Sequence, residues 1–239
     1  MPLARHRGNV PVPNENAVET ARPNLRILVI NPNSSRAFTD LMDADVAPLR
    51  FGNSCRIDCV TLAGAPAGIE TQRDIDAVVD PLCALIAAET ETTDAFVIGC
   101  FADPGLYSAR EVTGKPVFGA CEAGLATALN RGERFGVIST SAGSRNAELR
   151  LIRSYGLLDR CVGLAPVDVP VVEIPIAPDA LERMLDAGAK LRKDGADVLV
   201  LGCAGMAGYR PALSRALGVP IINPVVSAVA MAIGVVALS

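Results

Sequence analysis

The sequence predicts an α/β protein of two pseudo-symmetric lobes, each a parallel sheet flanked by helices, with the active site in the cleft between them. Three observations carry this. Short continuous apolar runs, RILVI at 26–30 and AFVI at 95–98, alternate with segments of helical period. That is the pattern of parallel strands covered on both faces by crossover helices. DAFVIGCFADPG at 94–105 returns as DVLVLGCAGMAG at 197–208. RILVINPNSSRAFTDL from Arg26 returns as RFGVISTSAGSRNAEL from Arg134, and GKPVFG at 114–119 as GVPIIN at 218–223. Three landmarks repeated in the same order mark an internal duplication, and a pseudo-two-fold axis would bring equivalent loops face to face.

Taken in order, residues 1–25 are rich in Pro, Asn, Arg and Glu and read as a flexible leader without a signal-peptide apolar region. The first lobe covers 26–130. Arg26–Ile30 is a strand that runs into the polar turn Asn31–Ser35, followed by a helical segment with Phe38, Leu41 and Met42. Arg56–Leu62 alternates as a second strand, Gly64–Gly68 is a small-residue loop, and Ala77–Glu89 a helix. After the strand at 95–98, Asp103-Pro104 reads as the opening of a helix over 105–113, with Asp as N-cap and Pro at the first helical position. A strand at 116–120 and a helix over 122–129 close the lobe. The second lobe covers 131–239 and repeats the layout. Its last helix, 225–239, is able to pack back onto the first lobe. The apolar run at 225–238 follows Pro224 and is shorter than the ~20 residues a bilayer requires, so it reads as a buried helix.

Composition narrows the function. Of 239 residues, 50% are hydrophobic and 20% charged, and the net charge is −4 with no basic stripe. Neither nucleic acid nor a membrane is an expected partner. Seven cysteines at irregular spacing, without CxxC, fit reduced thiols in a cytoplasmic protein. The one histidine, His6, lies in the leader. Ser–His and Cys–His catalysis and most zinc sites are thereby set aside, and no metal is expected.

Cys100 and Cys203 each follow a strand and a glycine, at the sheet edge where open α/β folds keep their ligand sites. A nearby helix N-terminus is expected to lower the thiol pKa. Facing each other across a cleft, the two could act as opposed acid and base at a stereocentre, one removing a proton from one face and the other returning one to the opposite face. Such a carbanion spreads charge onto a neighbouring carbonyl oxygen, so the site must also supply donors. The N–H groups at Phe101-Ala102 and Ala204-Gly205 and the turns Asn31–Ser35 and Ser139–Ser144 are the candidates. Cys121, beside Glu122 near a strand end, is a second-line candidate. Cys55, Cys59, Cys83 and Cys161 read as structural, Asp103 as a helix cap, and Asn33-Ser34-Ser35 suits an N-cap cluster as well as a ligand contact.

These pieces, VINPNSS at 29–35, GCFADPGL at 99–106, PVFGACEAG at 116–124, FGVISTS at 135–141 and LGCAGM at 201–206, resemble the aspartate/glutamate racemase superfamily, and within it the hydantoin and allantoin racemases. The resemblance spans nearly the whole chain after residue 25. It implies cofactor-independent racemisation of a 5-substituted hydantoin, allantoin included, by a pair of cysteines matching Cys100 and Cys203. It also implies ligand contacts from Asn33, from Phe101 and Ala102, from Ala204 and Gly205, and from Thr140. The CF-x-DPG form looks like the hydantoin branch, and Phe101 suits a ring. Departures from the pattern are Asn223, where an acidic residue is expected, the apolar end of the last helix, and the leader. A small-molecule substrate and a homo-oligomer are expected. The same superfamily includes amino-acid racemases, maleate-type cis–trans isomerases and arylmalonate-type decarboxylases, and two lobes around a cleft also suit a non-catalytic binding protein.

Overall fold

Each repeated apolar run forms a strand of one of two parallel sheets in the computed structural model, which describes residues 25–50 and 55–238. The leader and His6 lie outside the described residues, except for Leu25 at the leader's end. The first half runs β1 (Leu25–Asn31), α1 (Arg36–Val46), β2 (Cys55–Thr61), α2 (Gln72–Ala77), α3 (Val79–Glu89), β3 (Ala95–Ile98), α4 (Leu106–Glu111), β4 (Val117–Gly119) and α5 (Ala120–Leu129). The second runs β5 (Phe135–Ser139), α6 (Arg145–Ser154), β6 (Cys161–Pro166), α7 (Ala180–Lys193), β7 (Val198–Leu201), α8 (Arg210–Leu217), β8 (Ile221–Ile222) and α9 (Pro224–Ala237). The sheets have orders β2-β1-β3-β4 and β6-β5-β7-β8, with every pairing parallel. The second order is the first transposed by four strands, so the duplication read from the sequence is a duplication of topology.

The strands are apolar throughout because both faces are covered. Ile27 and Val29 of β1 pack with Met42, Val46 and the α9 residues Val225, Ala228 and Val229. Leu28 and Ile30 point the other way, onto Leu82 and Ile86 of α3 and Leu106 of α4. The second sheet divides likewise. Leu199 and Leu201 face α7 and α8, and Val198 and Val200 face α5 and α6. The Arg and Asp that introduce each repeat have one job in both halves. Asp94 accepts from the Arg26 N–H through its carboxylate and donates its own N–H to the Arg26 carbonyl. Asp197 does the same with Arg134. The pair sets the register of the central strands.

One local expectation needs correction. The helix expected over 77–89 begins at Gln72 and breaks at Val78, because Thr71 and Asp74 form a capping box that starts α2 before the apolar period begins. The helices that end the halves also exchange sheets. α9 packs onto the first sheet, as its apolar sequence allowed, while Cys121, Leu125 and Ala128 of α5 pack against Phe135 and Val137 of the second. The two helices meet where a Cβ at Gly124 would lie 2.9 Å from Pro224. α9 has 14 residues, and among the described residues no helix is long and apolar enough to cross a membrane.

The glycine before each cysteine has close neighbours, Met42 Sδ at 2.8 Å from a Cβ built at Gly99 and the adjoining strand at Gly202. Gly99 and Gly202 donate their N–H groups to the carbonyls of Ile30 and Ile138, each at 2.8 Å. A Cβ at Gly202 would come within 2.7 Å of the Ile138 oxygen, a backbone atom that cannot turn aside. Gly202→Ala is therefore expected to cost about 1–3 kcal/mol, the range for overpacking, and to lower the melting temperature by roughly 2–4 °C per kcal/mol. Gly208→Ala, with nothing within 4 Å of its Cβ, is the control. Equal melting temperatures for the two variants would refute the close approach.

Candidate active site

The carboxyl ends of β1, β3, β5 and β7 converge on a cavity of about 60 Å³. Its walls include Asn33, Cys100, Phe101, Ala102, Thr140, Cys203 and Ala204, so seven of the eight residues singled out from the sequence meet there. The eighth, Gly205, lies behind the wall. Its N–H is directed to the Cys203 sulfur, and the space where its side chain would be is filled by Phe38, 2.9 Å from a Cβ built there. Phe38, Met42, Ile69 and Val171 complete the apolar lining. They were legible in sequence only as core-type residues, since nothing in their spacing says which cavity they border.

The two thiols are placed alike. Cys100 follows β3 and is half-buried, and Cys203 follows β7 and is buried. Burial pushes each up to about 12, opposed by one N–H donor apiece, from Ala102 to Cys100 and from Gly205 to Cys203. The expectation of a thiol pKa lowered by a helix N-terminus is overturned, because loss of water outweighs the single donor. Cys203 also raises the Cys100 pKa through space. One negative charge on the pair thus opposes a second, so ionisation stops at one thiolate facing one thiol.

Two polar side chains on the wall keep capacity in reserve. The Asn33 side-chain oxygen accepts from the Ser35 N–H at 2.9 Å and from Asn31 Nδ2 at 2.9 Å. The backbone donor fixes which way the amide points. Its Nδ2 has no partner among the described residues, nor has the Thr140 hydroxyl, and both residues are buried. A ligand carbonyl is the kind of acceptor such donors lack.

Asp103 is a cap, but of a different helix from the one expected. It stands at φ +43° and Gly105 at φ +64°, so the chain turns left-handed after Cys100 and α4 opens at Gly105 without a side-chain cap. The Asp103 carboxylate reaches instead to α5, accepting from the N–H groups of Cys121 and Glu122, each at 2.8 Å. It also accepts from the Tyr155 hydroxyl at 2.7 Å. Gly119 makes this possible, since a Cβ there would lie 2.4 Å from the Asp103 carboxyl carbon. Burial pushes Asp103 up to about 7 despite these donors. Cys121 lies in the apolar core among Phe101, Leu125 and Phe135, away from the cavity wall, and burial raises its thiol well above the usual value. It carries no site chemistry. Asn223, where an acid was expected, caps α9 through Oδ1 and gives its Nδ2 to Asp45. That donation to a carboxylate is one an acidic residue could not make.

One buried acid escaped the sequence reading. Glu148, in the first turn of α6, accepts from the hydroxyls of Ser139 at 2.8 Å and Ser144 at 2.7 Å. Its only sequence signal was a Ser–Glu pair one helical turn apart, which reads as ordinary capping. Glu148 lines a second chamber of about 310 Å³ that shares Ile69 and Ala102 with the cysteine cavity. Two bonds between the lobes border this region, from the Val171 N–H to Glu70 and from Arg150 to Gln72, both 2.9 Å.

Residues 27–232 match the family model described as Asp/Glu/Hydantoin racemase. A hydantoin racemase of Rhizobium meliloti is 36% identical over 211 residues, covering 87% of each chain. A hydantoin racemase of Paenarthrobacter aurescens is 36% identical over 218 residues, covering 90% of this chain and 92% of that one. Among solved structures, allantoin racemase from Klebsiella pneumoniae superposes with a TM-score of 0.84 at 34% identity, covering 90% of this chain and 88% of the other.

Proposed function

Since this chain belongs to the Asp/Glu/hydantoin racemase family, we propose that it is an isomerase that racemises 5-substituted hydantoins with Cys100 and Cys203 as its two bases. The observation that carries this reading is the pair of equivalent thiols lining one cavity, each with a backbone N–H at its sulfur. One cysteine, as thiolate, takes the hydrogen from C5 of the ring as a proton. The C–H electron pair moves into the C5–C4 bond, and the C4 carbonyl pair moves onto oxygen. Asn33 Nδ2 and the Thr140 hydroxyl are the donors for that oxygen. The opposing thiol then protonates C5 from the other face, the carbonyl re-forms, and the two sulfurs have exchanged protonation states. No electron or co-reactant enters or leaves. Burial raises each thiol to about 12, so the thiolate is scarce near neutral pH and strongly basic once formed.

The test is loss of optical rotation together with deuterium entry at C5 when single enantiomers of alkyl-, benzyl- and ureido-substituted hydantoins are incubated in heavy water. Racemisation with exchange supports the reading, and unchanged rotation for every hydantoin refutes it. The same assay gives a pH dependence with a definite sign. A thiol is neutral below its pKa, and both pKa values are raised to about 12. The thiolate fraction, and with it kcat/KM, is expected to rise as pH increases from 7 to 9, by up to about tenfold per unit. A rate that is flat or falling over this interval would place the working base elsewhere.

A further inference from the structure

The chamber beside the cysteines has a chemistry of its own. The cysteine cavity, at about 60 Å³, has room for roughly four to six water-sized atoms. That is a ring's share of a hydantoin and leaves the substituent at C5 unhoused. The 310 Å³ chamber that opens past Ala102 and Ile69 is the adjoining space, bordered on one side by Ile75, Ala147 and Leu151 and on the other by Glu148 and Ser144.

Glu148 is only 7% exposed and forms no salt bridge among the described residues. Arg145 acts on it through space, but its Nη1 is given to the Leu164 carbonyl at 3.3 Å. The two hydroxyls that approach Glu148 bring at most two protons, and Ser144 also has the Ser141 carbonyl as an acceptor at 2.9 Å. A carboxylate offers about four lone-pair directions, so at least two remain unfilled on a buried anion at a cavity wall. Such a group lacks N–H donors.

We propose that Glu148 selects the substituent of the substrate, accepting hydrogen bonds from a C5 group that carries paired N–H donors, a ureido or guanidino group, in the 310 Å³ chamber. This rests on the racemase reading and deepens it, naming donor-bearing hydantoins over alkyl ones. Two parallel N–H groups match the two carboxylate oxygens, the geometry that makes fork-shaped donors strong partners. Leu151 and Ile75 accommodate the rest of the group without competing for its protons.

The decisive comparison uses two substituents of equal heavy-atom count and similar shape. Ureido carries N–H donors and isobutyl carries none. The ratio of kcat/KM for the ureido- over the isobutyl-hydantoin is measured for the wild type and for Glu148→Gln, so that intrinsic reactivity cancels. The ratio is expected to fall about 10- to 100-fold in the variant, chiefly through KM of the ureido substrate, while loss of the Glu148 charge, which raises both thiols through space, moves both substrates alike and cancels in the ratio. Equal losses on both substrates, or no change in the ratio, overturn the proposal. If Glu148→Gln does not fold, the pair Ser139→Ala with Glu148→Met removes the carboxylate together with its buried donor and is judged by the same ratio. If the wild type racemises no hydantoin at all, the racemase reading fails and this inference with it. Racemisation of alkyl-hydantoins with an unaltered ratio sinks the inference alone.

Discussion

Cys100→Ser and Cys203→Ser are each expected to lower kcat/KM for racemisation by about 10²–10⁴-fold, the range that a positioned acid or base contributes. The geometry makes a finer demand than loss of activity. In the proposed mechanism each cysteine serves one face of C5. A variant that keeps one cysteine can still remove the proton from the enantiomer that presents its hydrogen to that sulfur, and return a solvent-exchanged proton to the same face. Deuterium should therefore enter one enantiomer at a rate within about tenfold of wild type, while rotation stays constant. The two variants should choose opposite enantiomers. Loss of exchange from both enantiomers in both folded variants would mean that the cysteines do not divide the faces. Undiminished racemisation in either would remove that cysteine from the chemistry. The serine hydroxyl retains the size and the hydrogen bond from Ala102 or Gly205, so the change tests the acid–base role and leaves packing alone.

The pair was legible in the sequence because duplication places each cysteine in the same context, and topology then carries both to one edge. The glycines before them were legible for the same reason, and the structure adds a reason at Gly202, where the neighbouring strand leaves no room for a Cβ. The electrostatic environment was not legible. A helix N-terminus is visible in sequence, whereas the desolvation that dominates both thiols depends on Phe38, Ile69 and Val171, which come from three separate segments. Asp103 shows the same limit in another form. Asp-Pro is a helix opening by local rules, but the left-handed turn at residues 103 and 105 directs the carboxylate to a helix that begins at residue 120. Glu148 was hidden because its partners, Ser139 and Ser144, made it look like part of a cap. The sheet exchange of α5 and α9 was only half visible. The apolar length of α9 announced a buried helix, whereas α5 gives no sign of which sheet it covers.

Asp103→Ala is expected to be the most destabilising of the single changes considered, at about 4 kcal/mol, and the reasons separate into parts that can be measured. Removing the carboxylate leaves the N–H groups of Cys121 and Glu122 and the Tyr155 hydroxyl without their acceptor. The buried Cys121 N–H left unpaired costs about 1–3 kcal/mol, and the partly buried Glu122 N–H and Tyr155 hydroxyl, which water can reach, cost less. Alanine must also adopt the φ of +43° that aspartate holds, at roughly 1–2 kcal/mol. For a chain of this size the melting temperature should fall by roughly 2–4 °C per kcal/mol. Asp103→Gly removes the backbone strain and not the orphaned donors, and should recover only that share. Asp103→Asn keeps one acceptor oxygen and tolerates the left-handed turn, and should fall between wild type and alanine. Melting should be measured at pH 8.5, above the value of about 7 to which burial raises this carboxyl, so that the wild type is compared as the carboxylate. Asp103 also bears on catalysis, because it raises the Cys100 pKa through space. With that charge gone, Asp103→Asn should ionise Cys100 at lower pH and shift the rising limb of the rate profile toward acid. A variant that melted within about 2 °C of wild type and kept its pH profile would show that the tie between the Cys100 loop and α5 does neither job. The alternative, lower stability together with an acid-shifted profile, would mean that one carboxylate both holds the Cys100 loop against the second lobe and adds to the burial that raises its thiol.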